Sequence, residues 1–279
     1  TGLATAVAFR TGVFNVGVEG SFIAGGLAAA VIGASAAGLP GALLIVAAMA
    51  AGALTGAGVA FGPGLLRARW GVDEVVTTLM FNFIVTGVVA WIVNRFLLAP
   101  GVANSATALV AAHARLARLL PPSSVHLGLV IALVAVALYG WWMHTTSLGY
   151  ELRLTGQNPQ FAIAEGVRVS RVILVAMLLS GALGGLGGAA HALGTVGRFV
   201  AGFSPGYGYT GIAVALLGRN SALGITLAAL LFGALASAGA AVQLFSDIPL
   251  DIVNVLQGVV MIFAVAEFVR RARRRAVAP

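Results

Sequence analysis

Along this chain of 279 residues, long apolar runs alternate with short stretches that gather arginine, acids and turn residues. Nine runs are legible, at about residues 3–18, 22–37, 41–61, 75–97, 127–144, 172–193, 199–217, 222–244 and 252–269. Their lengths approach the roughly 20 residues that cross a bilayer as helix. Glycines and polar residues interrupt the first and seventh, which are expected to be broken or tilted. The pattern predicts an all-α, polytopic integral membrane protein forming one transmembrane domain over residues 1–279.

Between the fifth and sixth runs lies a polar connection, residues 149–171. Within it Asn158 suits a helix N-cap, and Pro159 suits the first helical position, where a missing N–H costs nothing. Gly166 can supply the left-handed residue that ends such a helix. The predicted helix, about residues 159–165, is too short to be stable alone. Something must hold it. In a membrane protein with no motor of its own, the expected holder is a soluble motor subunit.

Arginine sets the expected orientation. The tail Arg270-Arg-Ala-Arg-Arg-Arg275, within residues 270–279, pins the C-terminus to the cytoplasm. Alternating backwards through nine runs places Arg219, then Arg153, Arg168 and Arg171, then Arg67 and Arg69 on the same side. Asp247 and Asp251 then fall outside, as does the N-terminus. One further upstream helix is expected, which makes ten. The longest outer connection, residues 99–126, contains apolar residues at helical spacing over 108–120, with Arg115 and Arg118 among them. That spacing predicts an amphipathic helix at the outer surface, lying on lipid or meeting a partner.

Composition narrows the function. Hydrophobic residues make up 60% and charged residues 9% of the chain, with a mean hydropathy of +1.03. Soluble domains carry about a quarter charged residues. The 38 glycines are about twice the usual share, and Gly52/Gly56, Gly181/Gly185 and Gly184/Gly188 have the four-residue spacing of close helix crossings. All 16 basic residues are arginine; without lysine the chain has no Walker A phosphate loop. The net charge of +8 lies at segment ends, which sets topology rather than binding nucleic acid. With no cysteine, disulfides, thiol chemistry and thiolate metal sites are excluded.

Several constellations stand out. Asn15 and Glu19 are four apart, so one helix would stack them on a face. Gly17 and Gly20 allow the backbone to break there, and broken helices border transport pathways. An exposed glutamate in a tight turn is the alternative. Asp73 and Glu74 suit the positive end of a helix dipole, and Thr78 and Asn82 share the next turns of that helix. Asn82 either bonds a neighbouring helix or lines a polar conduit. The match Gly185-x-Gly187-x-x-Ala190 to a dinucleotide fingerprint has no preceding strand, and close helix packing accounts for it. His191 is expected to hydrogen-bond a neighbouring helix. His113, His126 and His144 are scattered and complete no metal site. Phe203, Tyr207 and Tyr209, in a stretch broken by Pro205, suit an interfacial aromatic belt or stacking on a flat ligand. No catalytic arrangement is legible, so an enzyme is not expected.

These stretches, in order, resemble the permease subunit of bacterial ABC importers. The match is to the family for branched-chain amino acids, simple sugars and nucleosides, and within it to the nucleoside and simple-sugar branch. Thr11-Gly-Val-Phe-Asn-Val-Gly-Val-Glu-Gly20, residues 73–82, 150–166, 180–199 and 202–220, and Asp251-Ile-Val-Asn-Val-Leu-Gln-Gly258 carry the resemblance. It implies a type II-like importer permease of about ten helices in the bacterial cytoplasmic membrane, in contact with lipid. It also implies a second permease, identical or paralogous, two cytoplasmic ABC ATPases and an external solute-binding lipoprotein. ATP and Mg would then sit on the ATPase, and this chain would bind no cofactor. Gly156, Asn158, Pro159, Phe161, Ala162, Glu165 and Gly166 would form the ATPase-coupling helix and its flanks. Asn15, Glu19, Thr78 and Asn82 are the candidates to border the solute pathway. An ion-coupled secondary transporter, a channel, and a branched-chain amino acid permease within the family are the alternatives.

Overall fold

The computed structural model describes residues 1–245 except 36, 37, 39, 102, 103, 121 and 122, together with 255, 258 and 259. The acidic connection with Asp247 and Asp251, all but three residues of the ninth run, and the arginine tail lie outside the described residues.

The apolar runs fold as helices because a bilayer leaves backbone groups no other partner. Among the described residues six are long and apolar enough to span: Val18–Ser35, Gly41–Trp70, Glu74–Leu97, Gly128–Thr145, Val169–Val196 and Ala222–Ala241. We label the helices α1 (Gly2–Arg10), α2 (Val18–Ser35), α3 (Gly41–Trp70), α4 (Glu74–Ile92) and α5 (Gly128–Thr145). The rest are α6 (Ser147–Gln157), α7 (Pro159–Ala164), α8 (Val169–His191), α9 (Tyr207–Leu217) and α10 (Ala222–Phe245). Helices α4 and α8 each end in a five-residue π-helical turn, Val93–Leu97 and Ala192–Val196.

The expectation of nine spanning segments does not hold among the described residues. Helix α1 has nine residues and α9 eleven, lengths of only about 14 and 16 Å at 1.5 Å per residue. The first run stops at Gly12, whose φ is +76°, and the seventh begins only after Pro205 and Gly206, whose φ is +94°. Left-handed backbone and proline cannot continue a helix there. The two stubs lie side by side: a Cβ on Gly211 would stand 2.8 Å from the carbonyl carbon of Thr1, and Arg10 at the far end reaches the Asn220 carbonyl.

Glycine sets the central crossing. On α8, Gly181 and Gly185 meet Gly56 and Gly52 of α3 through backbone alone, while Gly184 and Gly188 meet Val18 and Phe22 of α2. Residues 52 and 56 pair with 185 and 181 in reverse order, so α3 and α8 are antiparallel. Ser21 of α2 ties the crossing by donating to the Gly56 carbonyl at 3.1 Å.

The stretch 108–120 is not an amphipathic helix. It is an extended strap with a single 3-10 turn at Ala112–Ala114. The amides of Thr107, Val110, Ala111 and Leu116 donate to the carbonyls of Phe199, Gly197, Gly33 and Leu193 at 2.9–3.1 Å. Val110, Ala114 and Leu116 are buried beside Leu44 and Leu193, so its apolar residues cover the end of the bundle rather than lipid.

Candidate functional site

Between α1 and α2 the chain runs non-helical through residues 13–16, of which all but Phe14 are buried. Backbone groups there must find partners. Helix α4 supplies them from residues four apart on one face: Glu74, Thr78 and Asn82, a ladder about 12 Å long. Glu74 Oε1 accepts from the Phe14 amide at 3.2 Å, and Thr78 Oγ1 accepts from the Val16 amide at 3.3 Å. Asn82 Oδ1 accepts from the Gly20 amide at 2.9 Å, and its Nδ2 donates to the Val16 carbonyl at 3.0 Å. Asn15 Oδ1 accepts from the Gly17 amide at 2.8 Å.

The surrounding bonds lock neighbouring helices to this ladder. Asn15 Nδ2 donates to Ser180 Oγ of α8 at 2.8 Å. Glu19, in the first turn of α2, accepts through Oε2 from the Gly208 amide of α9 at 2.6 Å. Asn82 also reaches the Tyr209 hydroxyl at 3.3 Å. At the ladder's foot Glu74 Oε2 pairs with Arg67 Nε at 3.1 Å, the one ion pair among the described residues. Asn15, Glu19, Thr78 and Asn82 are all buried, and each bond is worth a net of about 0.5–1.5 kcal/mol.

The structure thus gathers the four expected pathway residues into one junction, but not on the face expected. Asn15 and Glu19 do not stack on a helix. Asn15 sits in the unwound segment, and α2 begins only at Val18. Glu74, Ser180, Gly208 and Tyr209 complete the junction without having been expected there. Glu74 was readable by stepping the Thr78/Asn82 spacing back one turn; the partners on α8 and α9 required the fold.

Among the described residues, His191 makes no helix-to-helix hydrogen bond. Its ring lies among Phe22, Phe203 and Tyr207, with centroids 5.8, 5.1 and 5.2 Å away. Phe203 is buried against Gly26 and stacked on Phe199, so it belongs to the core rather than an interfacial belt.

A second assembly lies near the junction's foot. Asn158 Oδ1 accepts from the amides of Gln160 and Phe161, both at 3.1 Å, and caps the six-residue α7. Gly166 follows at φ +83°. Ala162 is fully buried, while Phe161 and Ile163 are 49% and 62% exposed. The helix before it, α6, was not expected. Thr146 caps it by accepting from the Gly149 amide, and Leu152 seats it among buried residues. Beside α7 a cavity of about 470 Å³ is lined by Thr11, Gly12, Arg67, Thr155, Gly156 and Pro159, among others.

The family follows from comparison. A family model described as "Branched-chain amino acid transport system / permease component" matches residues 1–265. This chain belongs to that permease family. The guanosine ABC transporter permease protein NupP of Bacillus subtilis is 36% identical over 97% of this permease and 78% of its own length. The glucose ABC transporter permease protein TsgB13 of Haloferax volcanii is 35% identical over 98% and 74%. The nucleoside ABC transporter permease protein NupB of Lactococcus lactis is 34% identical over 96% and 76%. These relatives support the branch to which the permease's motifs pointed. No solved structure matches it.

Proposed function

We propose that this permease is the membrane-spanning subunit of an ATP-driven importer, which moves a nucleoside or simple sugar into the cytoplasm by alternating access. ATP and Mg bind a partner ATPase. A second permease, identical or paralogous, completes the path, and an external lipoprotein delivers the solute. The names of the guanosine, nucleoside and glucose relatives support this substrate class. Family membership and the apolar helices support a place in the bacterial cytoplasmic membrane. The end bearing Arg67, Arg69, Arg168 and Arg171 faces the cytoplasm, and the C-terminus follows it there.

The observation that carries the reading is α7: a six-residue helix, capped at Asn158, presents Phe161 and Ile163 outward while Ala162 anchors it inward. Such a helix offers two large apolar side chains to a partner and is too short to stand alone. It docks on the ATPase through Phe161 and Ile163, and Gly156, Glu165 and Gly166 set its entry and exit. Asn15, Glu19, Thr78 and Asn82 border the solute's path as parts of the junction.

Phe161→Asp tests the assignment in the reconstituted complex. It should abolish solute-stimulated ATP hydrolysis and release the ATPase from the membrane. Wild-type stimulation and assembly would refute it.

A further inference from the structure

We propose that Glu74 and Thr78 are positioning residues of the transport cycle. They act on segment 11–17, which carries displacement of the coupling helix into the membrane core. The proposal rests on the importer reading above.

At Gly12 and Gly156 the segment meets the coupling loop main chain to main chain. A Cβ on Gly12 would stand 3.4 Å from Gly156 Cα, and one on Gly156 would stand 3.1 Å from the Gly12 amide and collide with the Arg10 carbonyl. Gly156 lies two residues before the cap Asn158. With no side chain between the two backbones, a shift of the loop cannot be absorbed by a change of rotamer.

From that contact a continuous set of bonds leads inward. Phe14 and Val16 hang on Glu74 and Thr78 through their amides. Asn82 continues the ladder to Gly20 and to Tyr209 of α9. Glu19 holds the first turn of α9 at Gly208. The Phe14 and Val16 amides have no helical hydrogen bonds of their own and hang on side-chain acceptors, which the segment can exchange without unfolding a helix.

Two orphaned atoms lie where the segment begins. Among the described residues, Thr155 Oγ1 and Asn220 Oδ1 are buried without a hydrogen-bond partner. Both flank the end of α1: Thr155 precedes Gly156, and the Asn220 carbonyl accepts from Arg10 at 3.0 Å. Buried polar groups are nearly always paired, so each of these atoms calls for a partner, an ordered water or a group brought near by movement of the segment. The neighbouring cavity, lined by Thr11 and Gly12, gives the segment room to move.

These 279 residues hold no cysteine, so Val16→Cys introduces a single thiol among them. In proteoliposomes carrying the whole transporter, its maleimide labelling would be timed without nucleotide and after vanadate trapping. The rate should change several-fold between the two states. Phe14→Cys, at a 39% exposed position, serves if Val16→Cys does not assemble. In the same vesicles Thr78→Val and Glu74→Met should lower the solute moved per ATP several-fold, measured with labelled nucleosides and glucose. Thr78→Ser and Glu74→Gln, which keep an acceptor, should restore it. A purely structural role would lower uptake and hydrolysis together and leave that ratio alone. Equal labelling in both states of a transporting complex, or an unchanged ratio in both variants, would overturn this proposal alone. A wild-type complex that takes up neither class of solute with ATP would overturn the importer reading as well.

Discussion

Replacing Gly185 by alanine adds one methyl group where α8 crosses α3. That methyl meets the Gly52 carbonyl and comes within 3.0 Å of Gly56 Cα, so both obstacles are main chain. No rotamer relieves the collision, and the helices must separate. Gly187, two residues along the same helix, is the control. A Cβ there has the Phe22 ring as its nearest neighbour at 3.5 Å, an ordinary contact. Both substitutions gain the same helix propensity, about 1 kcal/mol, which therefore cancels between them. What remains is overpacking, about 1–3 kcal/mol, or roughly a five- to 150-fold difference in the folded-to-unfolded ratio. Unfolding of each variant in mixed micelles, as a function of denaturing detergent, measures it. Gly187→Ala should match or exceed the wild type, and Gly185→Ala should unfold earlier. Equal midpoints would refute the claim that backbone contact sets this crossing.

Two other expectations concern the polar junction and the strap. Asn82→Leu strands the Gly20 amide and the Val16 carbonyl, at about 1–3 kcal/mol each. That exceeds the average of about 0.6 kcal/mol for side-chain bonds between membrane helices, because here backbone loses its partner. The same micelle assay should show a loss of more than about 1 kcal/mol, and a smaller loss would mean that water or another group takes over. His126 Nδ1 accepts from the Gly128 amide at 3.0 Å, and its Nε2 lies 3.2 Å from Thr195 Oγ1, so the neutral ring ties the start of α5 to the end of α8. Burial holds its pKa below the ordinary 6.5. The contribution is therefore complete above 6.5 and is lost as pH falls through the lowered folded value. Thermal stability should fall with acidification in the wild type and more shallowly in His126→Asn; parallel curves would sink the assignment.

What was legible followed short-range rules. The cap at Asn158, Pro159 after it and Gly166 beyond α7 are local chemistry, and each appears in the structure as read. The glycine pairs on α3 and α8 were readable because four-residue spacing puts two small residues on one face. Hydropathy found where apolar runs lie but not how far each continues as helix. The first and seventh runs were expected to break, and they do so at Gly12 and Gly206, which adopt left-handed backbone; that Gly12 packs on Gly156 no window of sequence reports. The strap misled for a similar reason. Its apolar residues at 110, 114 and 116 mimic helical spacing, yet long-range bonds to Gly33, Leu193 and Gly197 hold it extended. Glu74 read as a dipole partner, and it became the foot of a ladder only because the unwound chain leaves the Phe14 amide without a backbone partner.

That strap is stitched down by amides and carbonyls, which every residue but proline possesses in the same form. Leu109, Leu119 and Leu120 point away from the bundle. Their identities are therefore free to drift without loosening the stitching. A surface built this way can be re-tailored while the helices beneath keep their places.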